Sequence, residues 1–316
     1  MLSVLLIIAG FIVLIYGANF LVDGASSLAK KFNVPNMVIG LTIVAFGTSA
    51  PELVVNIFAA VGHDAQIVMG NIVGSNIFNV AAILGLCAII RPLSVKSNTT
   101  WIEVPLALLS AIVILIMAND VFFDQASENI IGRAEGIVML LFFAIFLGYN
   151  IHLSIEGKTN EEIEVKDYSK LKSSLLILLG LVMLVLGGRL IVTHAVKLAQ
   201  IIGLSERVIA LTIVSIGTSL PELATSLIAV KKKNVDLAIG NVVGSNIFNV
   251  FFILGISSVI TSVPVGVDNQ FDLGVNLLIG FLLFLFIFTG KERKLDRWEG
   301  IIFLTGYLFY LGYLLF

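Results

Sequence analysis

The chain has 316 residues, 58% of them hydrophobic and 13% charged, with a net charge of −2 and a mean hydropathy of +1.06. A soluble domain carries about 25% charged residues; too little polar surface is present to cover a water-soluble particle, and the lipid bilayer is the implied solvent. No basic face or motif for nucleic acid is present, and the single cysteine, Cys87, excludes an intramolecular disulfide and reads as packing in its apolar run.

A helix crossing the hydrocarbon core needs about 20 apolar residues. In chain order such runs cover 2–29, 35–60, 65–90, 101–119, 129–152, 172–200, 206–230, 236–262, 272–290 and 298–316. The first begins at Leu2 with no basic stretch before it and no small-residue cleavage site after it, which predicts a retained helix and not a signal peptide. The second, third, seventh and eighth are rich in glycine and polar groups. Lys30, Lys31, Arg91, Lys96, Lys158, Lys166, Lys170, Lys172, Lys231, Lys232, Lys233, Lys291, Arg293, Lys294 and Arg297 all fall in or beside the odd-numbered connections, and only Arg133, Arg189, Lys197 and Arg207 lie elsewhere. By the positive-inside rule the odd-numbered connections are cytoplasmic. Both termini then lie outside a plasma membrane that the chain crosses ten times.

The chain repeats itself. Residues 41–80 align without gaps to the residues 170 positions later, and 21 of the 40 positions are identical, far beyond what shared apolar composition gives. Weaker likeness extends to Gly17 with Gly187, and Arg133-Ala-Glu-Gly-Ile resembles Arg297-Trp-Glu-Gly-Ile at an offset of 164. Five runs per copy is an odd number, so the second copy enters the membrane from the opposite side. The predicted fold class is an all-α membrane protein of ten transmembrane helices, arranged as two inverted-topology five-helix repeats, 1–152 and 172–316, with a site where they meet. Residues 153–171 read as a short acidic cytoplasmic linker.

Glu52 and Glu222 sit inside the second and seventh runs, where a carboxylate is costly unless paired, hydrated or coordinated. Each stands in Gly-Thr-Ser-x-Pro-Glu. Pro51 and Pro221 lack an N–H and so free the carbonyls of Gly47 and Gly217. Ser49, Glu52 and Asn56, like Ser219, Glu222 and Ser226, share one helical face. A proline kink repaired by Ser and Thr is the bland account of these groups, and a protonated Glu bonded to a neighbour is another. The second motif, Gly70-Asn71-Ile-Val-Gly74-Ser75-Asn76-Ile-Phe-Asn79, returns at Gly240 to Asn249. Its glycines predict close helix packing, and Asn71, Ser75 and Asn79 form a polar stripe. Brought together, these groups offer oxygen alone, which suits a hard cation; no His or Cys joins them, against zinc or copper. Two carboxylates give −2, which one Ca²⁺, two Na⁺ or two protons would neutralise.

On these two motifs, each present twice, the sequence resembles the sodium/calcium exchanger family within the cation/calcium antiporters. The resemblance implies that Glu52 and Glu222 are the central Ca²⁺ and Na⁺ ligands. It implies that Thr48, Ser49, Ser75 and the Ala45 carbonyl line the inward-related ion sites, that Thr218, Ser219, Ser245 and the Ser215 carbonyl form the outer set, and that Asn79 and Asn249 complete the centre. Helices one and six would slide as a pair over the other eight. Some members carry Asp where Asn249 stands, and its absence implies K⁺ independence; Gly74-Ser75 and Gly244-Ser245 disfavour proton coupling. The function implied is electrogenic Na⁺/Ca²⁺ antiport by alternating access, by a chain acting as a monomer with no cofactor and no enzymatic activity. H⁺/Ca²⁺ antiport on the same scaffold is the alternative. A passive channel usually builds its pore from several chains, whereas this chain has one internal pseudo-two-fold site, and an intramembrane protease would need a His-Glu-x-x-His or Ser/His pair at membrane depth, which is absent.

Overall fold

The computed structural model of the protein describes residues 2–62, 66–95, 99–156, 166–201, 215–289 and 293–315. Wherever an apolar run is described, it is helical along most of its length. The principal helices are α1 (Leu2–Phe32), α2 (Asn36–Thr48), α3 (Ala50–Val61), α4 (Ile67–Ile90), α5 (Thr99–Met117), α6 (Arg133–Glu156), α7 (Lys170–Ile201), α8 (Ser215–Thr218), α9 (Leu220–Lys231), α10 (Val235–Ile260), α11 (Val267–Phe286) and α12 (Arg297–Leu315). Among the described residues seven helices, α1, α4, α5, α6, α7, α10 and α11, are long and apolar enough to cross a membrane, and α2 with α3 makes a further candidate bent by 47°. The expected seventh run is described only from Ser215 onward. Its start at 206–214, the linker segment 157–165, and Lys96, Lys158, Arg207 and Lys291 lie outside the described residues.

The boundary of the ninth run moves most, from 272 to Val267. Its polar opening reads as loop, but those groups complete the helix end: Gly266 N–H donates to Asn269 Oδ1 at 3.0 Å, and Gln270 donates to the Ala118 carbonyl at 3.0 Å. The two Arg-x-Glu-Gly-Ile landmarks are helix starts. Glu135 accepts from Gly132 N–H at 3.0 Å and Glu299 from Asp296 N–H at 2.6 Å, each an acid at the third helical position reaching back to the N-cap.

Two helices form the interior. Along their most apolar stretch 83% of α4 and 78% of α10 is buried, against 22–33% for the other long helices. A helix buried all round has no face to give to lipid, and these are the two that carry the Gly-Asn motif. Around them the packing is swapped between the halves of the chain. α12 crosses α4 where Gly85 and Gly300 bring the backbones together; α6 crosses α10 at Gly136 and Gly255. Two short antiparallel ribbons repeat the exchange, β1 (Leu93–Ser94) with β4 (Lys294–Leu295) and β2 (Ile130–Ile131) with β3 (Val263–Pro264). Small residues permit these approaches, as in membrane helix pairs generally. Gly240 and Gly244 likewise pack on α2, where a Cβ at either would meet backbone of Met37, Gly40 or Leu41.

α1 and α7, of 31 and 32 residues, run antiparallel on the outside of this core. Their backbones touch at Gly10 with Gly187, Gly17 with Gly180 and Gly24 with Ser173. Leu5, Phe11, Leu178 and Leu186 remain exposed along them, as expected of surfaces solvated by lipid. Cys87 is fully buried.

Candidate cation site

Each half of the site is built at a break in a helix. Ser49 leaves helical geometry at φ −80°, ψ 8°, and Ser219 at φ −86°, ψ 6°. Pro51 and Pro221 then open α3 and α9 at a position where a missing N–H costs nothing. Ser49 still donates its N–H to the Ala45 carbonyl at 2.9 Å, while no N–H from residue 51 can reach Gly47. Gly47 and Gly217 are glycines because α7 lies against them: a Cβ at Gly47 would run into Leu181, and one at Gly217 into Val192. Glu52 and Glu222 thus fall in the first turn of their helices, at the positive end of the backbone dipole.

The two acids are held across the repeats. Ser49 Oγ donates to Glu222 Oε1 at 2.8 Å, and Ser219 Oγ donates to Glu52 Oε1 at 3.1 Å. Ser245 Oγ lies 3.3 Å from the same Glu222 oxygen and 3.0 Å from Ser49 Oγ, making a closed triangle. The matching hydroxyl in the other half, Ser75, has no partner among the described residues. Thr48 Oγ1 lies 3.0 Å from Asn241 Oδ1 and 3.3 Å from the Ala45 carbonyl; Thr218 Oγ1 lies 3.4 Å from Asn71 Oδ1. Ser215 lies one turn before the break at Ser219, as Ala45 does before the break at Ser49.

The backbone at the acids is satisfied differently in the two halves. Asn56 Nδ2 donates to the Glu52 carbonyl at 2.7 Å. In the other half Asn241 takes that role, donating to the Glu222 carbonyl at 3.3 Å and to the Oγ of Ser226, the counterpart of Asn56, at 3.0 Å.

Asn79 and Asn249 stand at the first turn of matching π-helical segments, Phe78–Leu84 and Phe248–Leu254. Such local widening recurs at functional sites. Nothing in the sequence marked it. Their amide nitrogens are committed across the repeats, to Asn246 and Asn76. Asn76 and Asn246 lie off the polar stripe that the spacing of Asn71, Ser75 and Asn79 predicts, although each shares a helical face with the asparagine three residues on.

All of these groups are buried. Glu52, Glu222, Asn79 and Asn249 are each 1% exposed and Ser49, Ser75, Ser219 and Ser245 not at all; Thr218, at 8%, is more open than Thr48, at 0%. Four oxygens in matched pairs have no partner among the described residues: Glu52 Oε2, Glu222 Oε2, Asn79 Oδ1 and Asn249 Oδ1. A buried polar atom left unmatched costs about 1–3 kcal/mol, more if charged, so four of them in symmetric pairs call for a ligand. The side-chain partners of both carboxylates are hydroxyls. Oxygen donors with two negative charges and no soft ligand match a hard cation.

Two further acids are as buried without joining this group. Glu103 accepts from Tyr149 OH at 2.7 Å, and Glu299 is bonded at the start of α12 by Asp296 N–H and Thr289.

Comparison with known proteins places the chain among similar sequences. The family described as sodium/calcium exchanger protein matches residues 2–152 and 172–316. Sodium/calcium exchanger MaX1 of Methanosarcina acetivorans is 31% identical, with 97% of each chain covered. Inner membrane protein YrbG of Escherichia coli is 33% identical over 99% of this chain and 97% of its own. The solved structure of the sodium-calcium exchanger NCX_Mj soaked with Na⁺ and Sr²⁺ superposes with a TM-score of 0.84 at 34% identity, covering 99% of this chain and 98% of that one.

Proposed function

The chain belongs to the sodium/calcium exchanger family, whose members are transporters and not enzymes, and on that premise we propose that it exchanges Na⁺ for Ca²⁺ across the plasma membrane by alternating access. The single observation that carries this reading is the mirrored pair Glu52 and Glu222, each with one oxygen bonded by a serine of the other repeat and one left over. The ligand set is Glu52, Glu222, Asn79 and Asn249 at the centre, with Thr48, Ser49, Ser75 and the Ala45 carbonyl on one side and Thr218, Ser219, Ser245 and the Ser215 carbonyl on the other.

The architecture read here is ten spans in two inverted repeats, 1–152 and 172–316. The swapped contacts of α4 with α12 and α10 with α6 support it, as do the two ribbons, since each pairs an element of one half with its non-equivalent element in the other. The α1–α7 pair, held together by glycine contacts, moves as a unit against the core, which is the general route of inverted-repeat transporters. Both termini face outward. One chain contains the whole site and works as a monomer.

The chemistry follows from charge. Two carboxylates in an apolar interior stabilise whichever cations neutralise them, and one Ca²⁺ or a set of Na⁺ does so in turn. The bare site keeps its charge and resists reorienting, because a charged side chain at the bilayer centre costs about 3 kcal/mol on insertion scales; this couples the two fluxes. Asn249, an amide where an acid would recruit K⁺, makes the exchange K⁺-independent, and one Na⁺ beyond the two that balance the carboxylates makes it electrogenic.

The test is radiolabelled Ca²⁺ uptake into Na⁺-loaded proteoliposomes at clamped pH and membrane potential. Uptake that requires the outward Na⁺ gradient and ignores K⁺ is the expected result. Uptake driven by a pH gradient in the absence of Na⁺ would replace the coupling ion with H⁺, for which the uncommitted carboxylate oxygens are equally suited. Unitary currents in a planar bilayer would overturn the antiport reading.

A further inference from the structure

An asparagine amide can present either its oxygen or its nitrogen to a site, and a cation is served by the oxygen alone. At Asn79 and Asn249 the choice is made by another pair. Asn76 Nδ2 donates to the backbone carbonyl of Asn246 at 3.4 Å, and Asn246 Nδ2 donates to the backbone carbonyl of Asn76 at 3.2 Å. A backbone carbonyl only accepts, so both amides are locked with nitrogen toward the opposite backbone. Their oxygens are thereby acceptors. Asn76 Oδ1 takes Asn249 Nδ2, and Asn246 Oδ1 takes Asn79 Nδ2, each at 3.0 Å. Both nitrogens of the central asparagines are consumed, and both of their oxygens are left without a partner among the described residues. The chain of constraint therefore runs from two backbone carbonyls, through Asn76 and Asn246, to the polarity of the centre.

We propose that Asn76 and Asn246 are positioning residues for transport: they touch no ion, and they hold the amides of Asn249 and Asn79 oxygen-first. The inference rests on the reading of this centre as a cation site. It differs from a packing role in one respect that can be measured. A carboxylate has oxygen at both ends and needs no orienting partner, so replacing Asn249 by Asp removes the task that Asn76 performs.

The experiment is a double-mutant cycle on the full chain in detergent. Ca²⁺ binding is measured by calorimetry for wild type, Asn76→Ala, Asn249→Asp and the double variant. A cavity of about 20 Å³ already borders Asn76, Asn246 and Asn276, so truncation at 76 enlarges a polar space that water can enter. Asn76→Ala is expected to weaken Ca²⁺ binding by about tenfold, the usual cost of losing a group that orients a ligand. In the Asn249→Asp background the same truncation is expected to change binding by less than about twofold, or to tighten it, because a carboxylate at position 249 has no N–H that needs the Asn76 oxygen as its acceptor. The mirrored cycle, Asn246→Ala with Asn79→Asp, gives the same answer if the first variant folds poorly. An equal loss in both backgrounds, with a wild type that binds Ca²⁺, overturns the proposal alone. A wild type that binds neither Ca²⁺ nor Na⁺ overturns the functional reading beneath it and the proposal with it.

Discussion

Ser49 of the first half donates its hydroxyl to Glu222 of the second at 2.8 Å, and the mirrored bond from Ser219 to Glu52 is longer, at 3.1 Å. Each acid is therefore oriented by the helix break of the opposite half. The two bonds are not equally supported. Glu222 has Ser245 in reserve at 3.3 Å, whereas Ser75 makes no bond among the described residues.

This asymmetry predicts unequal mutants. A hydrogen bond to a charged group contributes about 1.5–3 kcal/mol, so Ser219→Ala is expected to weaken Ca²⁺ binding about tenfold or more. Ser49→Ala is expected to cost less, since Ser245 can close on Glu222. Calorimetry on the two variants decides the matter, and a larger loss at Ser49 would contradict the assignment of reserve to Ser245.

Glu52→Gln and Glu222→Gln test the charges and not the packing. Glutamine matches the shape of the buried acid, so the fold should survive while Ca²⁺ uptake disappears. The readout is proteoliposome flux beside thermal unfolding of the same preparations. Near-wild-type flux in a well-folded variant would remove these residues from the site.

The α1–α7 contact predicts a stability contrast between glycines. A Cβ at Gly17 would lie 2.9 Å from Met183 Cβ and 3.0 Å from the Gly180 carbonyl, whereas nothing among the described residues lies within 4 Å of one at Gly306. Gly17→Ala is expected to destabilise by about 1–3 kcal/mol through overpacking, while Gly306→Ala is neutral or gains up to about 1 kcal/mol in helix propensity. Thermal unfolding in one detergent compares them, and equal melting temperatures would show that the pair is not held by backbone proximity.

Asp23, near the end of α1, binds Lys232 at 2.8 Å just beyond α9, and Lys166 of the linker at 3.0 Å. The Asp23 carboxylate holds the Lys166 ammonium above the ordinary lysine range. The positions related to Asp23 and Lys232 by the 170-residue repeat are Thr193 and Gly62, which cannot form an ion pair. One end of α1 is thus tied to the core by a contact that the repeat does not reproduce for α7. Asp23→Asn is expected to loosen that end by up to about 1 kcal/mol, as for a partly exposed pair. Thiol labelling at Ser26→Cys, in a Cys87→Ala background, should speed up in the variant. An unchanged labelling rate would remove the latch.

Much of this protein is legible in its sequence, and the reason is locality. Hydropathy requires only that about 20 consecutive residues prefer lipid; the repeat requires only comparison of the chain with itself. Glu52 and Glu222 stand out because a carboxylate in such a run is costly whatever surrounds it, and the serine three residues before each follows from helical spacing. What tertiary structure decided is every relation between the halves. Spacing along α4 groups Asn71, Ser75 and Asn79, but only the crossing of α4 with α10 gives Asn76 its partner in Asn246 and so orients the central amides. The triangle of Ser49, Ser245 and Glu222 joins residues 173 and 196 positions apart, and no local pattern encodes such a meeting. The same holds for the burial of Glu103 and Glu299 at helix ends and for Ser75, left without a bond among the described residues. Identical motifs in the two copies prescribe identical local chemistry; their surroundings, set by which helix lies against which, make the two halves unequal.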